Sequence, residues 1–268
     1  MSDKSDHIEE TCISCKACAT GKTDLTDFTF LFPVRINTKE RAENLDTVIH
    51  FISSYFETSL IVVEGDSEKK IEANEQPLVI RYEFCQDSNQ FFHKTKYINH
   101  LIRLAETEFV AVWDTDVLTA PAQILNSASV IRKGEAGMSL PYDGRVFVCD
   151  NSLSTFFRSH PDLEILQRLS PSLPLMYGYH STGGAFLINR RNYLASGGEN
   201  KNFYGWGPED VDRVKRMEVL GSPVHFADGP MFHLWHPRGI TSMYADRNLE
   251  KLNRQEFVKT CATINRSK

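Results

Sequence analysis

Short apolar runs alternating with stretches of helical periodicity are the feature that most constrains this chain. Apolar runs occur at 28–32, 60–63, 78–82 and 109–113. Between the first two, Leu45, Val48, Ile49, Ile52, Tyr55 and Phe56 fall on one helical stripe. Asn37 is expected to cap that helix, with Glu40 three residues on closing a capping box. Further helices are expected at 94–105, 121–132 and 208–220, the last stopped by Gly221 and Pro223, and a further strand at 185–188. The order strand, helix, strand, strand, helix, strand dictates α/β layering around a mostly parallel sheet. Such sheets bind ligands beyond the carboxyl ends of their strands. Arg35, Glu64, Asp66, Asp114 and Asp116 all follow strands closely and so carry most weight.

A chain of 268 residues is long enough for one large domain with a small attachment. Its net charge of −5 leaves no basic footprint, so no nucleic-acid partner is expected. An anionic ligand would need local help from a cation or a few placed Arg and Lys residues. No apolar run approaches the roughly 18 residues needed to span a bilayer, and the N-terminal stretch is polar without a signal-peptide core. The expected location is cytoplasmic, and any membrane contact would be peripheral. Cys85, Cys149 and Cys261 are scattered rather than paired in a framework. Cys12, Cys15 and Cys18 have C-x2-C-x2-C spacing with no fourth ligand nearby, which reads as a mobile tail with free thiols.

Four motifs carry chemistry. Asp114-Thr115-Asp116 ends an apolar run, where i and i+2 side chains of an extended chain point the same way and two carboxylates can share a divalent cation. A second D-x-D, Asp210-Val211-Asp212, lies at a helix start, where i and i+2 diverge. Asp212 and Arg216 read as an ordinary surface i, i+4 pair. In Gly205-Trp206-Gly207-Pro208-Glu209-Asp210, Pro208 suits the first helical position, and the two carboxylates suit the helix dipole. Trp206 between glycines that let a ligand approach is a plausible sugar platform beside those carboxylates. His233, in Phe232-His233-Leu234-Trp235-His236, is a candidate third metal ligand, with His236 ranked behind it. Arg35, in Pro33-Val34-Arg35, is placed to hold a phosphate or a base carbonyl.

Together these residues resemble the GT-A glycosyltransferases, and within them the branch of β-1,4-galactosyltransferases, bacterial chondroitin polymerase and polypeptide GalNAc transferases. Pro33-Val34-Arg35 is similar to the donor-binding Pro-Phe-Arg of that branch, and Asp114-Thr115-Asp116 to its metal-binding D-x-D. Gly183-Gly184 with the strand after them resembles the glycine pair near the donor sugar. Gly205 to Asp210 resembles the W-G-G-E-D acceptor segment, with Pro208 in place of a glycine, and His233 matches the third metal ligand. The resemblance covers about residues 28–240. It implies a Rossmann-like GT-A fold, a mixed, mostly parallel sheet flanked by helices. The expected organisation is a flexible segment at 1–27, a transferase domain at 28–247 (donor half about 28–135, acceptor half about 136–247) and a helical tail at 248–268.

The resemblance further implies a UDP-sugar donor bound at Pro33, Arg35, Asp114, Gly183 and Gly184, with Glu64 or Asp66 near the nucleoside. Mn²⁺ (or Mg²⁺) would sit on Asp116 and His233, with Asp114 holding it directly or through water. Asp210 would be the general base of an inverting transfer, Glu209 would orient the acceptor, a glycan or lipid-linked glycan, and Trp206 would stack on that acceptor or on the donor sugar. Retention of configuration, as in the GalNAc transferases, is the weaker alternative. Two other classes compete: a sugar-1-phosphate nucleotidyltransferase, which would want a Gly-rich basic loop after the first strand, and a non-catalytic sugar-binding protein. The transferred sugar, the acceptor and the oligomeric state are not written in these motifs.

Overall fold

A computed structural model describes residues 21–71, 80–176, 180–239 and 246–264. Cys12, Cys15 and Cys18, and the start of the strand expected at 78, lie outside the described residues.

The central strand β1 (Thr23–Val34) begins five residues earlier than its apolar run suggests and is buried from Phe28 onward. It lies between β2 (Phe56–Asp66) and β4 (Phe109–Trp113), parallel to both. β3 (Ile80–Gln86) extends the sheet in parallel beyond β2. On the other side β8 (Ala185–Asn189) runs antiparallel to β4, followed by β6 (Met138–Leu140) and β9 (Val224–Phe226). The seven-stranded order is β3-β2-β1-β4-β8-β6-β9. The architecture is therefore a mixed, mostly parallel sheet flanked by helices. Phe28, Phe30, Phe32 and Trp113 are buried at its centre. Full burial of such a ring stabilises the fold by about 1.5–3 kcal/mol.

Helix α1 (Lys39–Tyr55) is capped by Thr38, whose side chain accepts from the Arg41 N–H. Asn37 is thus not the cap; the start is displaced by one residue. Helices α2 (Lys94–Leu104) and α3 (Pro121–Arg132) fall where periodicity places them, and Pro121 occupies the first turn, where its missing N–H costs nothing. Helices α4 (Asn151–Ser159) and α5 (Leu163–Leu169) are capped by Asp150 and Asp162. Then come α6 (Arg190–Ala195), α7 (Glu209–Val219) and α8 (Arg247–Ile264). A second, three-stranded sheet sits beside the first in the order β5-β10-β7, formed by Val117–Leu118, Met231–His233 and Val146–Val148. Among the described residues, no helix is long and apolar enough to cross a membrane.

Candidate active site

The carboxyl ends of β1 and β4, the start of α2, the stretch before β8, the entry to α7 and the end of β10 surround one cavity of about 520 Å³. Register builds its acidic pole. Trp113 Nε1 donates to the Val117 carbonyl at 3.0 Å and closes the turn after β4. β5 then pairs antiparallel with β10, His233 opposite Val117, and the Leu234 N–H donates to the Asp116 carbonyl at 2.7 Å. His233 Nε2 lies 3.6 Å from Asp116 Oδ1, and His236 Nε2 lies closer, 3.2 Å from Oδ2. The ligand atoms of Asp116, His233 and His236 are all within 4.8 Å of one another.

These residues fit a divalent cation. Burial works to raise the Asp116 pKa, but His233, His236 and Arg41 outweigh it and hold the carboxyl well below its usual range. Burial lowers the His233 pKa despite Asp116, so the ring is neutral and able to ligate. His236 Nδ1 donates to the Pro237 carbonyl at 2.9 Å. Its Nε2 lies 3.3 Å from Arg41 Nη2 and faces the Asp116 carboxylate. A ring nitrogen and a carboxylate oxygen at that distance need a proton or a cation between them. His233 Nδ1 is buried and lacks a hydrogen-bond partner among the described residues. Two imidazoles and a carboxylate suit Mn²⁺ better than Mg²⁺.

Asp114 does not join this group. The chain leaves β4 at Trp113 and turns at Thr115 and Asp116, so the extended geometry expected across the D-x-D does not hold. The Asp114 N–H donates to the Gly184 carbonyl at 2.7 Å, and its carboxylate oxygens take Lys94 Nζ at 2.8 and 2.9 Å. Sequence reading missed Lys94. Burial works to lower its pKa, yet Asp114, Asp210 and Glu209 outweigh that and raise it. A signal was available: Lys94 opens α2, where a cation opposes the helix dipole and no acidic residue shares the first turn.

The entry to α7 supplies two carboxylates with opposite behaviour. Pro208 is the N-cap rather than the first helical residue. Burial, then Asp210, pushes Glu209 up to about 8, and its Oε2 is buried with no hydrogen-bond partner among the described residues. Burial also works to raise Asp210, but Lys94 and Arg213 outweigh it and hold that carboxyl below its usual range. Arg213 Nη1 donates to Asp210 at 2.9 Å, while its Nε and Nη2 bond Glu199 at 2.6 and 3.0 Å. Arg213 and Glu199 are both buried, a pair the sequence did not reveal. Asp212 is no surface residue: it is fully buried and takes Arg216 Nε at 2.9 Å.

Pro33, Arg35, Gly183, Gly184 and Trp206 line the cavity. A Cβ on Gly183 would stand 2.3 Å from Asp210 Oδ2, so glycine is what lets that carboxylate reach the wall. Arg35 spends its donors within the protein, on the carbonyls of Gly65 at 2.7 Å and Asn89 at 2.7 Å, and pairs with Asp87 at 3.6 Å. Glu64 and Asp66 are not part of the wall. Buried Glu64 accepts from Lys70 N, Ile71 N and Tyr82 Oη, and Asp66 from Ser67 N and Lys70 Nζ. Both close β2 and hold the turn that leaves it.

A family model described as the N-terminal domain of galactosyltransferase matches residues 165–237. Residues 165–237 are galactosyltransferase-like. This segment includes Gly183, Gly184, Trp206, Glu209, Asp210, His233 and His236. Asp116, Asp114 and Lys94 precede it and reach the galactosyltransferase-like residues only through the fold. Beta-1,4-galactosyltransferase 7 of Mus musculus and of Homo sapiens are each 32% identical to the chain over 76 residues, 28% of this chain and 20% of theirs. The match thus spans about a fifth of the length of these curated relatives. Among solved structures, a mutant Drosophila beta-1,4-galactosyltransferase 7 in complex with manganese, UDP-Gal and xylobiose superposes with TM-score 0.47 at 15% identity, covering 75% of this chain and 64% of that one. The catalytic domain of the Drosophila enzyme with xylobiose gives TM-score 0.42 at 16% identity over the same shares.

Proposed function

We propose that the chain is a divalent-metal-dependent glycosyltransferase. It moves a hexose or N-acetylhexosamine from a UDP-sugar to a hydroxyl of a glycan or lipid-linked glycan, with inversion. One observation carries this reading. A cation ligand set (Asp116, His233, His236) and an acid pair of opposed proton affinity (Glu209, Asp210) open on the same cavity. The match of residues 165–237 to galactosyltransferases makes galactose the first sugar to test.

Mn²⁺ held by Asp116, His233 and His236 would stabilise the negative charge that grows on the departing diphosphate. The protein's own groups do the rest. Lys94 and Arg213 keep Asp210 ionised at neutral pH, ready to take the acceptor hydroxyl proton. A carboxylate held this low takes that proton late, as the oxygen bonds to the anomeric carbon. Glu209 is largely protonated near neutrality, so it adds little charge beside Asp210. Trp206 supplies an apolar face on the cavity wall for a sugar ring.

Calorimetry with UDP, GDP and ADP, each with Mn²⁺ or with chelator, on wild type and Asp116→Ala, tests the donor site. UDP binding that disappears with chelator and in the variant is expected. Folded protein that binds no nucleotide in a metal-dependent way would sink the reading.

A further inference from the structure

Helix α8 presents one covered face, Leu249, Asn253, Glu256, Phe257 and Thr260, while Arg247, Lys251 and Leu252 are exposed. The spacing is that of an ordinary amphipathic helix, but its most buried member is polar. Asn253 is 1% exposed. A buried amide must be hydrogen-bonded, and each of its bonds goes to one loop. Nδ2 donates to the Tyr204 carbonyl at 2.9 Å and to the Trp206 carbonyl at 3.2 Å, and Oδ1 accepts from the Tyr204 N–H at 3.3 Å. One turn further on, Glu256 accepts from Asn200 at 3.1 Å and Asn202 at 2.8 Å.

The glycines flanking Trp206 face the same helix. A Cβ on Gly207 would lie 2.6 Å from Asn253 Nδ2, and one on Gly205 would lie 3.0 Å from Leu249 Cδ2. From sequence, these glycines seemed to admit a ligand; in the structure they admit α8. Helix, glycines and side-chain bonds therefore converge on a loop without regular structure whose only aromatic cavity residue is Trp206. None of these bonds touches Asp116, His233, His236 or Asp210.

We infer that α8 is a strap that fixes the 200–207 loop, and that Asn253 is a positioning residue that sets Trp206 for the acceptor before the acceptor arrives. This rests on the reading of the cavity as a glycosyl-transfer site. A loop ordered in advance spares the acceptor the entropy of ordering it, so loosening the strap should weaken acceptor binding while leaving the donor untouched.

The test uses the full chain with Mn²⁺, UDP-galactose and a panel of p-nitrophenyl glycosides as acceptor probes. Asn253→Asp keeps the side chain's size and its accepting oxygen but removes both N–H donors. Lys251→Ala, on the exposed face of α8 and away from the loop, serves as the control. In Asn253→Asp, amide exchange across 200–207 should speed up about tenfold or more, and the acceptor KM should rise by a similar factor. UDP affinity and UDP-galactose hydrolysis without acceptor should stay within about twofold of wild type. Lys251→Ala should stay near wild type in each measurement. Unchanged exchange and KM in Asn253→Asp overturn the strap. Donor affinity and acceptor KM worsening together, with exchange faster throughout the molecule, make Asn253 an ordinary fold residue and overturn its positioning role. Loss of the functional reading has a separate mark, because wild type would then bind no UDP with Mn²⁺, whereas exchange across 200–207 reads the strap regardless.

Discussion

Glu209 and Asp210 are neighbours in the chain and opposites in proton affinity, and the difference comes from what each side chain meets. Asp210 turns to Lys94 and Arg213; Glu209 is buried with one oxygen unpaired among the described residues. The folded protein holds the Glu209 proton up to about pH 8, whereas the unfolded chain releases it near its ordinary value of 4.5. Between those values the folded state binds more protons, so this residue's contribution to stability is full below about pH 4.5 and is lost as pH rises through 8. The loss is at most about 1.4 kcal/mol per pH unit. Thermal melts from pH 5 to 9 should therefore fall more steeply for wild type than for Glu209→Gln, and at pH 9 the variant should be at least as stable. Parallel curves would show that Glu209 titrates normally. Gly183 offers a second residue-scale check. In Gly183→Ala the added methyl must displace the Asp210 carboxylate, so kcat should drop by about tenfold or more with UDP affinity retained. Steady-state kinetics beside calorimetry separate the two quantities.

Elements explain why some of the site was legible and some was not. The strands from β1 to β4, the helices α1 to α3, and α7 have long apolar runs or clear stripes, and the sequence places them within a few residues. The second sheet is different. β5 has two residues and β7 and β10 three each, too short for any periodicity to register. Yet the pairing of β5 with β10 is what sets His233 beside Asp116. Sequence alone ranks His236 behind His233; the chain after β10 brings it nearer Asp116 than His233 is. Long-range pairs were equally hidden, since nothing local to Arg213 announces Glu199, fourteen positions away. Arg213 anchors α7 from within, stacked 4.1 Å from the Phe186 ring of β8. Arg213→Met would strand the buried Glu199 carboxylate and should cost about 3–5 kcal/mol, measurable by urea unfolding. Adding Glu199→Gln should recover part of that loss, and a double variant no more stable than the single would place the damage in packing rather than charge.

At the scale of the whole molecule, the proposed anionic donor would face an acidic protein, with net charge −5 and Asp114, Asp116, Glu209 and Asp210 all on the cavity wall. Of the cations lining the cavity, Lys94 is engaged by Asp114, Arg41 by Asp116 and His236, Arg35 by Asp87 and Arg254 by Glu250, while Arg238 acts on His233. A diphosphate approaching the Asp116 pole therefore meets carboxylates that a divalent cation would offset. Binding should be ordered, metal before nucleotide, and thermal shifts can follow it, because a ligand that binds only the folded state stabilises it by RT ln(1 + [L]/Kd), about 2.7 kcal/mol at a hundred times Kd. Mn²⁺ alone should raise Tm; UDP with chelator should leave it unmoved; the two together should raise it further than Mn²⁺ alone. Asp116→Ala should abolish the shifts of both Mn²⁺ and the mixture. The cavity draws its walls from β1, β4, α2, β10 and the entry to α7, so the stabilisation should appear as a single shifted transition rather than as a second one. An equal UDP shift with and without chelator would mean that Lys94 and Arg41 are released to hold the diphosphate themselves, and the cation would then lose its place in donor binding.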